Sequence, residues 1–134
     1  MAATPPESFL DLLDRPLFAS FATVRPDGAP QVNPMWFIWD GEQGVVKLTH
    51  TKVRSNYRAL QREKRVGLSI IDPDDGYRYL SLRGTVTNIQ DDPEGEFYKV
   101  LQRRYRGRAD AEIADRAVRV VLTITPDHFR VHEN

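Results

Sequence analysis

Short apolar runs separated by turn-forming residues dominate this chain. Apolar positions either alternate with polar ones or form runs of strand length. Pro, Gly and Asp bound these runs, as in residues 25–28 (RPDG) and 72–76 (DPDDG). A period of two interrupted by such turns is typical of antiparallel β-strands. The pattern predicts strands over residues 17–24, 29–40, 45–50, 65–71, 77–90, 117–125 and 127–132.

Helical periodicity predicts helices over residues 7–14, 54–63 and 93–107. The buried stripes expected on the second and third helices are Val53, Tyr57 and Leu60, and Phe97, Val100, Leu101 and Tyr105. The combined pattern predicts a mainly β fold, a six- to seven-stranded antiparallel barrel, closed or nearly closed, with two or three short helices. The length fits a single domain over residues 1–134.

Two strands carry more apolar or aromatic surface than a one-sided sheet requires. Residues 35–39 (MWFIW) are apolar on both faces, so we expect a core on one side and a subunit or cofactor on the other. We interpret Trp39 as core, whereas the pattern leaves open which face of this strand meets a cofactor. Tyr77 and Tyr79 share one strand face and suit an interface or ligand wall, with ordinary cross-strand packing as the alternative.

The segment 48–65 (LTHTKVRSNYRALQREKR) runs from a strand through a hydroxyl-rich turn into a basic helix. The turn offers the hydroxyls of Thr49, Thr51 and Ser55. A helix N-terminus carries free N–H groups and the positive end of the helix dipole, so hydroxyls and cations gathered there suit a phosphate. A solvated basic face is the alternative interpretation. The cations of the segment are Lys52, Arg54, Arg58, Arg62, Lys64 and Arg65.

Composition narrows the classes of function. The chain has 19 basic and 19 acidic residues, and this zero net charge argues against a dedicated nucleic-acid binder. Cysteine is absent, which excludes disulfides and thiolate catalysis and is typical of the reducing cytoplasm. The three histidines are too scattered for a metal site, and we interpret His50 as a polar strand-end residue. No stretch resembles a membrane span or a secretory signal, so we expect a cytoplasmic protein without metal or membrane contact.

Five segments of the chain carry a family resemblance in the same order. The sequence resembles the split-barrel flavin and deazaflavin proteins related to pyridoxamine 5′-phosphate oxidase, and more narrowly their actinobacterial branch that uses coenzyme F420. The segments that carry it cover most of the chain: residues 21–40, 51–66, 72–86, 102–107 and 119–126.

This resemblance implies an FMN-binding type of split barrel that forms a homodimer with two cofactor sites at the subunit interface. It implies that Gln31, Asn33, Pro34, Met35 and Trp36 lie along the cofactor ring. It places Thr49, Thr51, Lys52 and Arg54 at the phosphate, with Asn56 and Arg58 nearby. Asn56 stands where the family often has lysine. The partner subunit's Tyr77 and Tyr79 are expected to close the site.

The function implied by the resemblance is hydride transfer between coenzyme F420 and a small conjugated organic substrate, with no catalytic side chain assigned. The nearest alternative is an FMN-dependent oxidase or reductase, since both cofactors present a phosphate and a flat ring. A non-catalytic carrier of such a cofactor and a small barrel that binds single-stranded nucleic acid are further alternatives. The arginines between residues 103 and 108 are candidates for binding the oligoglutamate tail of coenzyme F420. The default explanation is that they are exposed arginines favoured by the dipole at the C-terminal end of a helix.

Overall fold

The computed structural model describes residues 3–134 and contains a seven-stranded antiparallel sheet with three α-helices in that range. The helices are α1 (Leu10–Asp14), α2 (Ser55–Arg62) and α3 (Glu96–Arg106), and short 3-10 turns occupy Glu7–Phe9 and Arg116–Val118. The strands are β1 (Ala19–Val24), β2 (Pro30–Met35), β3 (Ile38–Asp40), β4 (Val45–Thr51), β5 (Arg65–Asp72), β6 (Asp75–Asp91) and β7 (Arg119–His132).

The strand order shows how the sheet curls into a barrel. The hydrogen-bonded order is β2-β1-β5-β6-β7-β4-β3, so β2 and β3 form its two edges. These edge strands are nevertheless consecutive in the chain, and only Trp36 and Phe37 separate them. Because two residues span only a few ångströms, the sheet must curl until its two edges meet. The predicted class, a mainly β antiparallel split barrel with two or three short helices, is confirmed.

Two predicted strand boundaries are wrong. The strand expected over residues 29–40 is interrupted at Trp36 and Phe37, where the backbone of Phe37 bonds to the Tyr105 hydroxyl instead of to a neighbouring strand. Conversely, the two strands expected over residues 117–125 and 127–132 are the single strand β7. Pro126 does not form a turn; it lies opposite Gly84 at a register shift between β6 and β7. Proline is tolerated there because a β-bulge can accommodate a residue without an N–H donor.

The buried faces of the helices differ in part from the predicted stripes. Val53 is 72% exposed because α2 begins only at Ser55, whereas Leu60 is buried as predicted, together with Asn56 and Ala59. In α3, Leu101 and Gln102 are buried, whereas Val100 is exposed. Trp39 packs against the core cluster, as predicted.

Ion pairs and a hydrogen bond of Arg78 connect the N-terminal helical segment to the barrel. The Arg78 guanidinium donates to Asp11 at 2.7 Å, to Asp72 at 2.9 Å and to the Ser8 carbonyl at 2.9 Å. It also lies 4.7 Å from the centre of the Phe9 ring. Within residues 3–134, no helix has both the length and the apolar character needed to cross a membrane.

Candidate functional site

A pocket of about 230 Å³ opens where the β2–β3 break, the end of β4, the head of α2 and the start of β7 meet α3. Five of the predicted site residues line it: Pro34, Met35, Trp36, Thr49 and Arg54. Four further residues complete the lining, and the sequence alone did not assign them to a cofactor ring or phosphate: Phe18, Tyr98, Arg106 and Arg119.

One side of the pocket carries positive charge and hydroxyl groups. Thr51 lies opposite Arg119 in the β4–β7 ladder, so Thr49, Thr51 and Arg119 share one face of these strands. Arg54 occupies the N-cap position of α2 next to them. Thr51 does not itself line the pocket: its residue is only 2% exposed, and its hydroxyl is buried without a hydrogen-bond partner. An anion held here would meet two guanidinium groups and the free N–H groups of the first turn of α2.

Arg119 is held in place from three directions. Its Nε and Nη2 donate to the carboxylate of Asp115 at 3.0 and 3.2 Å, and its Nη1 donates to the Thr49 hydroxyl at 3.3 Å. The guanidinium also lies over the ring of Tyr98. Such a planar, preoriented guanidinium is suited to bind phosphate or carboxylate oxygens.

Aromatic side chains of α3 form the other side of the pocket. The Trp36 ring stacks on Tyr105 with centres 5.0 Å apart and an interplanar angle of 12°, and it lies 6.2 Å from Tyr98. Arg106 lies 5.0 Å from the centre of the Trp36 ring on a cation–π contact. These contacts show that α3 covers part of the outward side of this segment at Trp36, whereas Pro34 is exposed.

Tyr105 also fixes the backbone of the β2–β3 break. Its hydroxyl accepts the Phe37 N–H at 3.0 Å and donates to the Leu17 carbonyl at 2.6 Å. Burial raises the pKa of the Tyr105 hydroxyl, so this group stays protonated and can keep both bonds at neutral pH.

His50 and Asn56 meet on the inner side of the pocket wall. The Nε2 of His50 lies 2.6 Å from the Asn56 side-chain oxygen, and both side chains are buried. Burial, and then the positive charge of Arg54, lower the pKa of His50 to about 4. His50 is the penultimate residue of β4, in line with its interpretation as a polar strand-end residue, and it is buried and uncharged at neutral pH.

The other predicted site residues lie outside this pocket in the single chain. Lys52 pairs with Asp91 at 2.8 Å, which raises the pKa of the lysine, and Arg58 is exposed on α2. On β2, the Gln31 amide donates to Asn33 at 3.3 Å. Tyr77 and Tyr79 lie near the start of β6, where Tyr77 is exposed and Tyr79 stacks on His132.

The chain belongs to a known family. The profile of the pyridoxamine 5′-phosphate oxidase family matches residues 5–133, which is nearly the whole chain. This chain is a member of that family. The aromatic and cationic pocket therefore lies in a family of flavin- or deazaflavin-binding oxidoreductases, as the sequence resemblance predicts.

Solved structures agree with this assignment. A protein described as an F420 reductase is 48% identical, with a TM-score of 0.89 over 94% of this chain and 98% of that chain. A conserved hypothetical protein from Mycobacterium tuberculosis is 22% identical, with a TM-score of 0.75 over 98% of this chain and 86% of that one. A putative pyridoxamine 5′-phosphate oxidase from Listeria innocua is 17% identical, with a TM-score of 0.70 over 93% and 95% of the two chains. The last two show the shared fold alone.

Proposed function

We propose that this protein is an oxidoreductase that uses coenzyme F420 to transfer a hydride to or from a small conjugated organic substrate. The observation that carries the proposal is the meeting of Arg54 and Arg119 with the aromatic surface of Trp36 in one pocket. A cofactor that joins an anionic group to a flat ring requires these two features side by side. The 48% identity to a protein described as an F420 reductase supports this cofactor over FMN.

The residues present fit the phosphate of such a cofactor. The unpartnered Thr51 hydroxyl is a buried donor that an anion oxygen would satisfy. Arg54 and Arg119 add charge-assisted donors, and Thr49 already contacts Arg119. We assign the phosphate to these four side chains and keep Lys52 at the edge of the site, where Asp91 competes for its charge.

The chain's own residues bind and orient the reactants. When bound, the deazaflavin ring supplies the hydride chemistry. Pro34, Met35 and Trp36 offer a surface against which a flat ring can lie, and the Tyr105 hydroxyl holds the backbone of that surface in place. The Trp36, Tyr98 and Tyr105 rings would exclude water from one side of a bound cofactor and so favour close contact between cofactor and substrate.

We further propose that a second copy of the chain completes the site. A pocket of about 230 Å³ is smaller than a typical binding site for a drug-sized ligand, which is roughly 300–1,000 Å³. The outer face of the sheet carries small residues at Ala22, Gly67 and Ser69, and a depression of about 690 Å³ opens over Ala22 and Gly67. Val32 is 60% exposed and Tyr77 is 67% exposed around it. A partner packed on this face would cover these apolar groups and bring its own Tyr77 and Tyr79 towards the cofactor.

An FMN-dependent oxidase or reductase is the second candidate, and the family match favours it as directly as it favours a deazaflavin enzyme. A carrier of the cofactor would bind without turnover. The cytoplasm is the compartment that we expect for all three, since the chain has no cysteine.

Fluorescence titration with coenzyme F420 tests the proposed site. Arg54→Ala should weaken binding by roughly 1–3 kcal/mol, and Lys52→Ala should do so by less because Asp91 shares its charge. Arg62→Ala, an exposed cation in the last turn of the same helix, is the matched control. Unchanged affinity in both test variants would show that the cofactor phosphate does not bind at the N-terminus of α2.

Sedimentation measurements test the second copy. The wild type should sediment as a dimer, and Val32→Glu should shift it towards monomer because a carboxylate would be buried in the interface. Ala111→Glu, an exposed position in the loop after α3, is the control. A wild type that stays monomeric at high concentration would contradict the shared site.

A further inference from the structure

We propose that His50 is a positioning residue for the anion-binding end of the site: held on Asn56 inside the barrel, it fixes the first turn of α2 and thereby Arg54. The ligand in this inference rests on the proposed function, whereas the geometry stands independently of it.

The contact joins two elements that meet at the pocket. His50 lies on β4 on the face opposite to Thr49 and Thr51, and its side chain is fully buried. Asn56 is the second residue of α2, and its side-chain oxygen lies 2.6 Å from Nε2 of His50. Because an amide oxygen only accepts hydrogen bonds, Nε2 carries the ring proton and Nδ1 does not.

This bond closes a short loop of chain around the turn. Residues 52–54 connect β4 to α2, and Arg54 occupies the N-cap position of the helix. The same turn is held on its other side, where the Lys52 N–H donates to the Val118 carbonyl at 3.0 Å. With both sides held, the Arg54 side chain starts from a fixed backbone position at the mouth of the pocket. Preorganisation of this kind lowers the entropic cost of binding an anion.

The chemistry of the position requires an uncharged donor. The charged groups that act on the ring electrostatically are Arg54 from the head of α2 and Arg119 from the start of β7, and Arg119 is itself paired with Asp115. A permanently charged cation at position 50 would repel both arginines. An apolar side chain would leave the buried Asn56 oxygen without a donor. A neutral imidazole meets both conditions, which gives His50 a role beyond filling the core.

Three variants separate positioning from general stability. His50→Leu removes the donor, His50→Gln keeps an N–H donor, and His128→Leu alters an exposed histidine on β7 as the control. Each variant is titrated with coenzyme F420 between about pH 5 and about pH 8. Amide hydrogen exchange of residues 55–58 is measured on the same proteins without ligand, as a readout that needs no cofactor.

His50→Leu should lose about tenfold in affinity at neutral pH and should exchange faster in the first turn of α2. His50→Gln should recover most of the affinity, and His128→Leu should behave as the wild type. A folded His50→Leu that binds and exchanges as the wild type would overturn the proposal.

A second variant keeps the proposal testable if His50→Leu does not fold. Asn56→Asp places a carboxylate against the ring, which raises the pKa of His50, so the effect of ring protonation on affinity should appear at higher pH than in the wild type. An unchanged pH profile would contradict the role of His50. Failure of the wild type to bind coenzyme F420 would contradict the proposed function, and the exchange measurement would then decide the positioning role alone.

Discussion

The guanidinium carbon of Arg119 lies 4.1 Å from the centre of the Tyr98 ring, and its nitrogens bond to Asp115 and Thr49. This places a buried, preoriented cation in the wall of the candidate pocket. Burial of an arginine at the start of a central strand is costly in free energy unless its charge is paired. Here the Asp115 carboxylate pairs the charge, and Nη1 contacts the Thr49 hydroxyl beside the expected phosphate.

Replacement of Arg119 by lysine tests whether the planar guanidinium is needed. Lysine keeps the charge but loses the two-pronged geometry, so Arg119→Lys should weaken coenzyme F420 binding by roughly 1–3 kcal/mol. Arg116→Lys, an exposed arginine in the adjacent 3-10 turn, should leave affinity unchanged. Calorimetric titration measures both. Equal affinities would show that Arg119 supports the fold and not the ligand.

We expect removal of the Tyr105 hydroxyl to lower the stability of the fold. Tyr105→Phe removes the bonds to the Phe37 N–H and the Leu17 carbonyl, which leaves buried backbone groups without partners. The free energy of unfolding should fall by about 1–3 kcal/mol in urea denaturation. Trp36 fluorescence should also change, because the stacked ring loses its fixed neighbour. Tyr57→Phe, at a half-buried tyrosine on α2, is the control, and a similar loss there would refute the role of the Tyr105 hydroxyl.

The bulge between β6 and β7 requires a residue without a side chain at Gly84. A Cβ at this position would lie 2.7 Å from the Thr125 carbonyl oxygen and 2.8 Å from Ile124 Cγ2. Gly84→Ala should therefore lower stability by about 1–3 kcal/mol through overpacking. Gly76→Ala is the matched control, since its Cβ would meet its nearest neighbour at 3.9 Å. Thermal unfolding of both variants checks the difference, and equal midpoints would show that the bulge relaxes freely.

Arg78 should couple stability to pH. Its hydrogen bond is the main cause of the lowered pKa of Asp11, and after the Asp74 N–H it also lowers the pKa of Asp72. A depressed carboxyl pKa stabilises the fold above the unfolded value, near 3.8, and this stability is lost as the pH falls through the folded values.

Arg78→Met should therefore unfold at lower urea concentration than the wild type at neutral pH, and the difference should shrink below about pH 4. Arg62→Met is the control on an exposed helix end. A difference that stays constant from neutral to acid pH would mean that Arg78 acts by packing on Phe9 and not through the carboxylates.

The parts of the fold that were predictable depend on local periodicity. The β4 strand and the α2 helix follow from alternation, helical spacing and the hydroxyl turn between them, all within one short segment. The interruption at Trp36 and Phe37 was not predictable, because its cause is a hydroxyl 68 residues further along the chain. An apolar run without a turn signal gives no local sign of such a break.

The anion-binding side of the candidate site was predictable only in part. Thr49 and Arg54 lie beside the pocket because the turn and helix carry them there locally. Arg119 was missed because the β4–β7 ladder, a long-range pairing, brings it to that face. An arginine that opens an apolar strand was the one available signal. The burial of His50 was equally hidden, since the strand alternation alone does not show which face of a barrel end is closed.

Parallel fluorescence titrations of the wild-type protein with coenzyme F420 and with FMN test the central claim most directly. Our account predicts saturable binding of coenzyme F420 at micromolar or lower concentration, clearly tighter than FMN, and loss of that binding in Arg54→Ala. Tighter binding of FMN would place the protein among the flavin enzymes of the family. Binding of neither cofactor would contradict the assignment of the Arg54, Arg119 and Trp36 pocket as a cofactor site.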